Sequence, residues 1–154
     1  MSISNTLNSY LSNQHIDYDL LSHPVTFSCR DTAKAAHINE DHIAKAVIVK
    51  DRQGYAMVVI PGSDWIKVHA LQNELNRDFQ LAEESELHNL FTDCAKGAIP
   101  PLGQAYGLDT FLDESLNSLA NIYFEAGDHE HLIHIRGDQF QKLFKGVRHG
   151  HFSH

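Results

Sequence analysis

Lys45 opens an apolar run, Ala44-Lys45-Ala46-Val47-Ile48-Val49. A lysine at the start of a buried strand needs a partner or an outlet to water. If the partner is a ligand, the ammonium would hold a phosphate or a carboxylate. Far downstream lies a loop, Gly97-Ala98-Ile99-Pro100-Pro101-Leu102-Gly103. Its prolines fix φ and remove backbone donors, while its glycines open conformations closed to other residues. The product is a stiff strip of backbone with bare N–H groups at its ends. Such a strip can hold a polar substrate and stabilise charge developing on an oxygen. The competing readings are a solvated lysine and a tight surface turn.

The other chemistry-bearing types are less ordered. His129 and His131 would share a face of an extended strand, and His149, His151 and His154 crowd the C-terminus. Zinc needs three or four ligands held as a tetrahedron. No single stretch supplies such a set, so neither metal nor organic cofactor is expected. The chain lacks a G-x-S-x-G elbow, a Walker loop and a G-x-G-x-x-G turn. Cys29 and Cys94 sit in no nucleophile motif and read as small buried residues.

Several elements must position these residues. Ile3, Leu7, Tyr10 and Leu11 share a helical face, which predicts a helix over 2–13. Tyr18 to Leu21 reads as a short strand, stopped by His23-Pro24. Ser28 with Asp31 resembles a capping box for a short helix through Ala36. Residues 46–49 and 55–60 are the strongest strands, joined at Asp51-Arg52-Gln53-Gly54. Being almost continuously apolar, they should be covered on both faces. Helices are expected over 69–75 and 83–91. Strands are expected at 110–113, 122–124 and 132–135, and a closing helix should carry Phe140, Leu143, Phe144 and Val147. Residues 150–154 read as a frayed tail. The class is α+β, with a mixed or antiparallel sheet curled toward a barrel and helices outside it.

The 154 residues suit one domain with a real core. No apolar run reaches the length of a membrane span, no basic-apolar leader starts the chain, and two cysteines make no disulfide framework. A cytoplasmic protein is expected. The net charge of −8 opposes tight non-specific binding to DNA or another polyanion, though a local grip on one end of a nucleic acid stays open. Arg136, Lys142, Lys145 and Arg148 read as a solvated helix surface rather than an RNA-binding face.

Six segments in order then carry a resemblance. They are Ala44 to Asp51, Val58 to Gly62, Leu81-Ala82, Gly97 to Gly103, Leu112 to Leu116, and Phe124-Glu125-Ala126-Gly127. Together they resemble the YbaK/prolyl-tRNA synthetase editing-domain family, from about His23 to the closing helix. The resemblance implies a mixed, strongly curved sheet flanked by helices. It also implies hydrolysis of the ester of a mischarged aminoacyl-tRNA, acting in trans and alongside a synthetase. Lys45 then matches the family's lysine for the phosphate end of the acceptor terminus. Gly97 to Pro101 matches its G-x-x-x-P loop, with Ala98, Ile99 and Pro100 against the ester. His129 matches a positioning histidine found in some members.

Asp113 is either an acid that orients Lys45 or a turn starter. His23 and Thr26 are candidates for the amino-acid pocket, against a reading as a local X-Pro turn. The chemistry needs no nucleophile, because an aminoacyl ester is already activated. It needs an oriented water and a stabilised oxyanion, and the family's substrate supplies a ribose hydroxyl that helps activate the water. The rival is a binding module that recognises an aminoacyl-adenosine-like ligand, a tRNA end or a protein without turnover.

Overall fold

The computed structural model describes residues 3–154. Ser4 sets the first boundary: its hydroxyl accepts the Leu7 N–H at 3.1 Å, and helix α1 runs Asn5–Asn13. A cap of this kind contributes about 1 kcal/mol. The helix expected from residue 2 therefore begins later, and Ser2 itself lies outside the described residues. Strand β1 (Asp19–Ser22) leads to helix α2 (Cys29–Ala36), where the Ser28 hydroxyl accepts the Asp31 N–H at 3.1 Å. Strands β2 (Ala44–Asp51) and β3 (Gly54–Pro61) form the expected hairpin, with Asp51 opposite Gly54.

Helix α3 (Val68–Leu75), strand β4 (Gln80–Leu81) and helix α4 (Glu84–Leu90) follow. Glu86 anchors α4 to the hairpin, taking Lys50 Nζ and the Tyr55 hydroxyl, each at 2.7 Å. The chain closes with β5 (Asp109–Asp113), β6 (Asn121–Glu125), β7 (His131–Arg136), α5 (Gly137–Leu143) and β8 (Arg148–Gly150). None of the helices is long and apolar enough to cross a membrane.

The strands form two sheets. One is mixed, ordered β4-β2-β3-β5-β8, and the other is antiparallel, ordered β1-β7-β6. The α+β class and the mixed pairing agree with the sequence. The barrel-like curl does not: β6 pairs with β7 on one side, and among the described residues the backbone link across from the larger sheet is the isolated bridge Ile43–Tyr123. Strand β3 is buried from Ala56 to Pro61 and alternates between two cores. Met57 and Val59 join Leu7, Leu112, Phe124 and Phe140, while Ala56, Val58 and Ile60 join Leu71, Phe79 and Phe152. Side chains of a strand alternate in direction, so one apolar run fills both layers. Strand β2 is less covered than expected, being only partly buried at Lys45, Ala46 and Val47.

The C-terminus is not frayed. Strand β8 runs parallel to β5, Phe152 is fully buried in the second core, and Ser153 bridges to Ile66. Asp113 holds this segment: its Oδ2 accepts the Phe152 N–H and the Ser153 hydroxyl, each at 2.9 Å. The polar, histidine-rich sequence hides one phenylalanine that buries the tail. Its histidines also separate, His149 meeting Asn117 and His151 meeting Lys67. Truncation of Phe152 to alanine should therefore cost about 3–5 kcal/mol in chemical denaturation. A tail without packing would show no change.

Candidate functional site

Lys45 stands opposite Ile60 in the β2–β3 ladder. Its Nζ donates to the Gly62 carbonyl at 3.1 Å and lies 5.7 Å from the centroid of the Trp65 ring. Among the described residues its hydrogen-bond partner is this neutral carbonyl, not a carboxylate, so the charge stays available to an incoming anion. Asp113 does not orient it. One Asp113 oxygen takes the N–H and hydroxyl of Ser115, and the other holds the C-terminal segment. Of the two readings of Asp113, the turn starter stands, and the tail anchor is added.

The Gly97 loop is held from both ends of the fold. Upstream, Asp93 takes the Ser4 hydroxyl at 2.8 Å, the Thr6 N–H at 2.9 Å and the Tyr106 hydroxyl at 3.0 Å. Burial works to raise the Asp93 pKa, but these donors win and hold its carboxyl well below the usual range. Next, the Ala95 N–H donates to the Gly127 carbonyl at 2.7 Å, and the His129 ring donates from Nε2 to the Lys96 carbonyl. A carbonyl only accepts, so Nε2 carries a proton, and in the neutral ring Nδ1 is then an acceptor.

Gly97 itself has φ +80°, the left-handed region that favours glycine. Among the described residues no backbone carbonyl accepts the N–H of Gly97 or Ile99. Ala98, Pro100 and Pro101 are buried behind these two and do not line the open space. They shape the loop rather than touch a ligand.

Lys45, Gly97 and Ile99 face one cleft of about 210 Å³, together with Cys29, Glu125 and His129. A second hollow of about 460 Å³ continues past Glu84 and Leu87, sharing Gly97 and Ile99 as its divide. A larger hollow, about 790 Å³, is elsewhere, around Asp51 and Arg77. Those two form an ion pair at 2.7 Å and neutralise each other, so that hollow is not the better candidate.

Two buried polar atoms of the 210 Å³ cleft, Glu125 Oε2 and His129 Nδ1, have no hydrogen-bond partner. Buried polar groups are paired in the great majority of cases, so these two are candidates for meeting a ligand. Burial pushes the Glu125 carboxyl up to about 7, and the charge of Asp128 adds to the shift. Burial also pushes the Cys29 thiol up to about 11, against the pull of Lys45. Cys29 is therefore a neutral thiol at neutral pH and a poor nucleophile.

The structure brings together Lys45, Gly97, Ile99 and His129 from the sequence candidates. It leaves out His23 and Thr26, which sit behind the cleft wall. The His23 ring donates from Nδ1 to the Pro24 carbonyl at 2.7 Å, and the Thr26 hydroxyl meets that of Thr32 at 2.6 Å. His129 and His131 do not share a face: His129 sits in a turn at φ +63°, while His131 opens β7 and pairs with Asp128 at 2.5 Å. Among the described residues no three His, Cys, Asp or Glu side chains gather as a metal site.

Glu125 was missed by sequence reasoning. Strand alternation puts Ile122 and Phe124 in the core and Glu125 on the opposite face, which reads as solvent. A cleft covers that face instead. The legible signal was a carboxylate inside the motif Phe124-Glu125-Ala126-Gly127.

The aminoacyl-tRNA editing domain model matches residues 23–143. The chain belongs to that family. Solved structures agree on the fold of this editing domain. The hypothetical protein APE2540 matches at TM-score 0.86 and 20% identity, over 97% of this chain and 100% of its own. A protein provisionally named as a trans-editing enzyme for prolyl-tRNA synthetase matches at TM-score 0.83 and 18% identity, over 99% of both chains. A provisionally named signal transduction protein from Marinobacter aquaeolei VT8 matches at TM-score 0.78 and 18% identity, over 99% of this chain and 31% of its own. A comparison with curated proteins gives no match.

The Glu125 shift fixes a pH dependence for this editing domain. Its carboxyl titrates at about 7 when folded, against an ordinary 4.5. The folded state then holds the proton more tightly, so stability falls as pH rises from 4.5 through 7. Glu125→Gln should match wild type in acid and exceed it by about 3 kcal/mol above neutrality. Denaturation curves across that range test it, and a constant difference would refute the assignment.

Proposed function

We propose that this editing domain is a deacylase that hydrolyses the ester of a mischarged aminoacyl-tRNA. It acts in trans, in the cytoplasm and alongside a synthetase, with residues 1–154 working as one unit. The observation that carries the reading is the convergence on one cleft of a cation, free loop donors and unpaired acceptors. Lys45 would take a phosphate of the acceptor end. The N–H groups of Gly97 and Ile99 would receive the carbonyl oxygen. Water adds to that carbonyl, and the tetrahedral intermediate expels the ribose oxygen, which leaves with a proton that came from the water. The His129 Nδ1 lone pair is placed to accept a hydrogen bond from the water or the amino acid.

No covalent intermediate is required, which fits a cleft whose cysteine is protonated. The activated ester needs only orientation and charge stabilisation, so the reaction is proposed to run without metal. The small cleft favours a small acyl group. Its lining does not name the amino acid, because one methylene changes discrimination by only about 1–3 kcal/mol.

The decisive experiment is a deacylation panel of tRNAs charged with alanine, serine, cysteine or threonine, each with and without chelator. One amino acid should be released in both conditions. Lys45→Ala should lower kcat/KM by about 10- to 150-fold, the worth of a charged hydrogen bond. Gly97→Ala should lower kcat by about 100-fold or more, the worth of one oxyanion donor. An added methyl there would rest 3.5 Å from the His129 ring, so the fold should survive while the loop shifts. Wild-type rates in both variants would sink the site assignment. Binding of a non-hydrolysable aminoacyl-adenosine without turnover on any ester would replace the deacylase with a binding module.

A further inference from the structure

Two large rings stand exposed near Lys45, Phe27 in the cleft lining and Trp65 under the Lys45 ammonium, outside that lining. Phe27 is 77% exposed and Trp65 is 76% exposed. Phe27 lines the cleft, with its ring 4.9 Å from that of His129. A single exposed hydrophobic residue is ordinary and carries no argument. Trp65 differs because its backbone is fixed while its side chain is not used by the fold.

The fixing comes from the C-terminal segment. The Trp65 N–H donates to the His154 carbonyl at 2.8 Å, and the His154 N–H returns to the Trp65 carbonyl at 3.0 Å. The Lys67 N–H donates to the Phe152 carbonyl at 2.7 Å, and the Ser153 hydroxyl to Asp64 at 2.8 Å. Asp113 and the buried Phe152 hold that segment in turn. An indole on pinned backbone loses little entropy when it meets a ligand.

The chemistry beside the ring narrows the ligand. Lys45 Nζ is 5.7 Å from the ring centroid and has no carboxylate partner among the described residues. A cation next to an open π-face matches a nucleotide, with phosphate on the ammonium and base on the ring. The formal charge of −8 opposes a broad grip on RNA and leaves contact with one end open.

We infer that Trp65 is the stacking platform for the 3′-terminal base of the RNA whose acyl ester enters the cleft. Lys45 holds the neighbouring phosphate, and the acyl group passes inward toward Gly97. This rests on the deacylase reading for the identity of the ligand, but it is tested without turnover.

Trp65 is the one tryptophan of the chain, so intrinsic emission reports its surroundings alone. Uncharged RNA minihelices ending in CCA and in CC are titrated into the protein, with emission and the anisotropy of labelled RNA read together. The CCA end should quench emission saturably, and the CC end should bind more weakly with little quenching. Trp65→Ala should bind the CCA end about 5- to 100-fold more weakly, and Trp65→Phe should fall between. The exposed side chain predicts an unchanged melting temperature for both variants.

Unchanged emission on RNA binding, equal response to the two ends, or wild-type affinity in Trp65→Ala would overturn the inference. So would an emission change caused by a protein partner with none from RNA. Quenching by CCA with no deacylation of any charged tRNA would remove the deacylase reading and keep this one. Deacylation with an unchanged KM in Trp65→Ala would do the reverse.

Discussion

The cleft exists because the turn after β6 clasps the loop before Gly97. Lys45 belongs to the five-stranded sheet, while Glu125 ends β6 of the three-stranded one and His129 lies in the turn between β6 and β7. Among the described residues the isolated Ile43–Tyr123 bridge and side-chain packing join these sheets. The clasp, made by the Ala95 N–H on Gly127 and the His129 ring on Lys96, sets what faces Lys45 across the gap. Gly127 is required there: a Cβ would come within 3.0 Å of Ser4, whose hydroxyl caps α1 and holds Asp93. The first helix, the turn and the loop are therefore one unit, and Gly97 takes its position from that unit.

The site also has a distinct electrostatic character. Elsewhere two partly buried cations are paired with carboxylates, Arg77 with Asp51 and Lys50 with Glu86. In the cleft the charges are left incomplete: Lys45 has a neutral partner, and Glu125 has an oxygen with none. Incomplete pairing in a low-dielectric space destabilises the fold and strengthens any interaction a ligand later makes. The cost is borne by β3, whose two buried faces fill both cores.

The C-terminal segment shows how packing reaches a distant surface. Phe152 sits beneath β3 and β5, Asp113 grips the adjoining backbone, and the last residues pair with the Trp65 loop. One buried ring thus fixes an exposed one on the far side of Lys45.

Much of the architecture was legible in the sequence. The continuous apolar runs gave the β2–β3 hairpin, the amphipathic spacing gave the helices, and the glycine-proline loop with Lys45 gave half of the site. These are local properties: period, cap and turn chemistry are written in neighbouring residues. The frayed tail, the barrel-like curl, Asp113 as an acid orienting Lys45, and the placing of His23, Thr26, Pro100 and Pro101 came out differently. Each depends on which segments meet across long sequence separations. Alternation along β6 says that Glu125 points away from the core, but not that a loop from residues 95–99 roofs that face. The sequence by itself determined the elements and the residue types available for chemistry. Only the tertiary structure decided which of those residues share a cleft, because burial and loss of hydrogen-bond partners arise when distant segments pack.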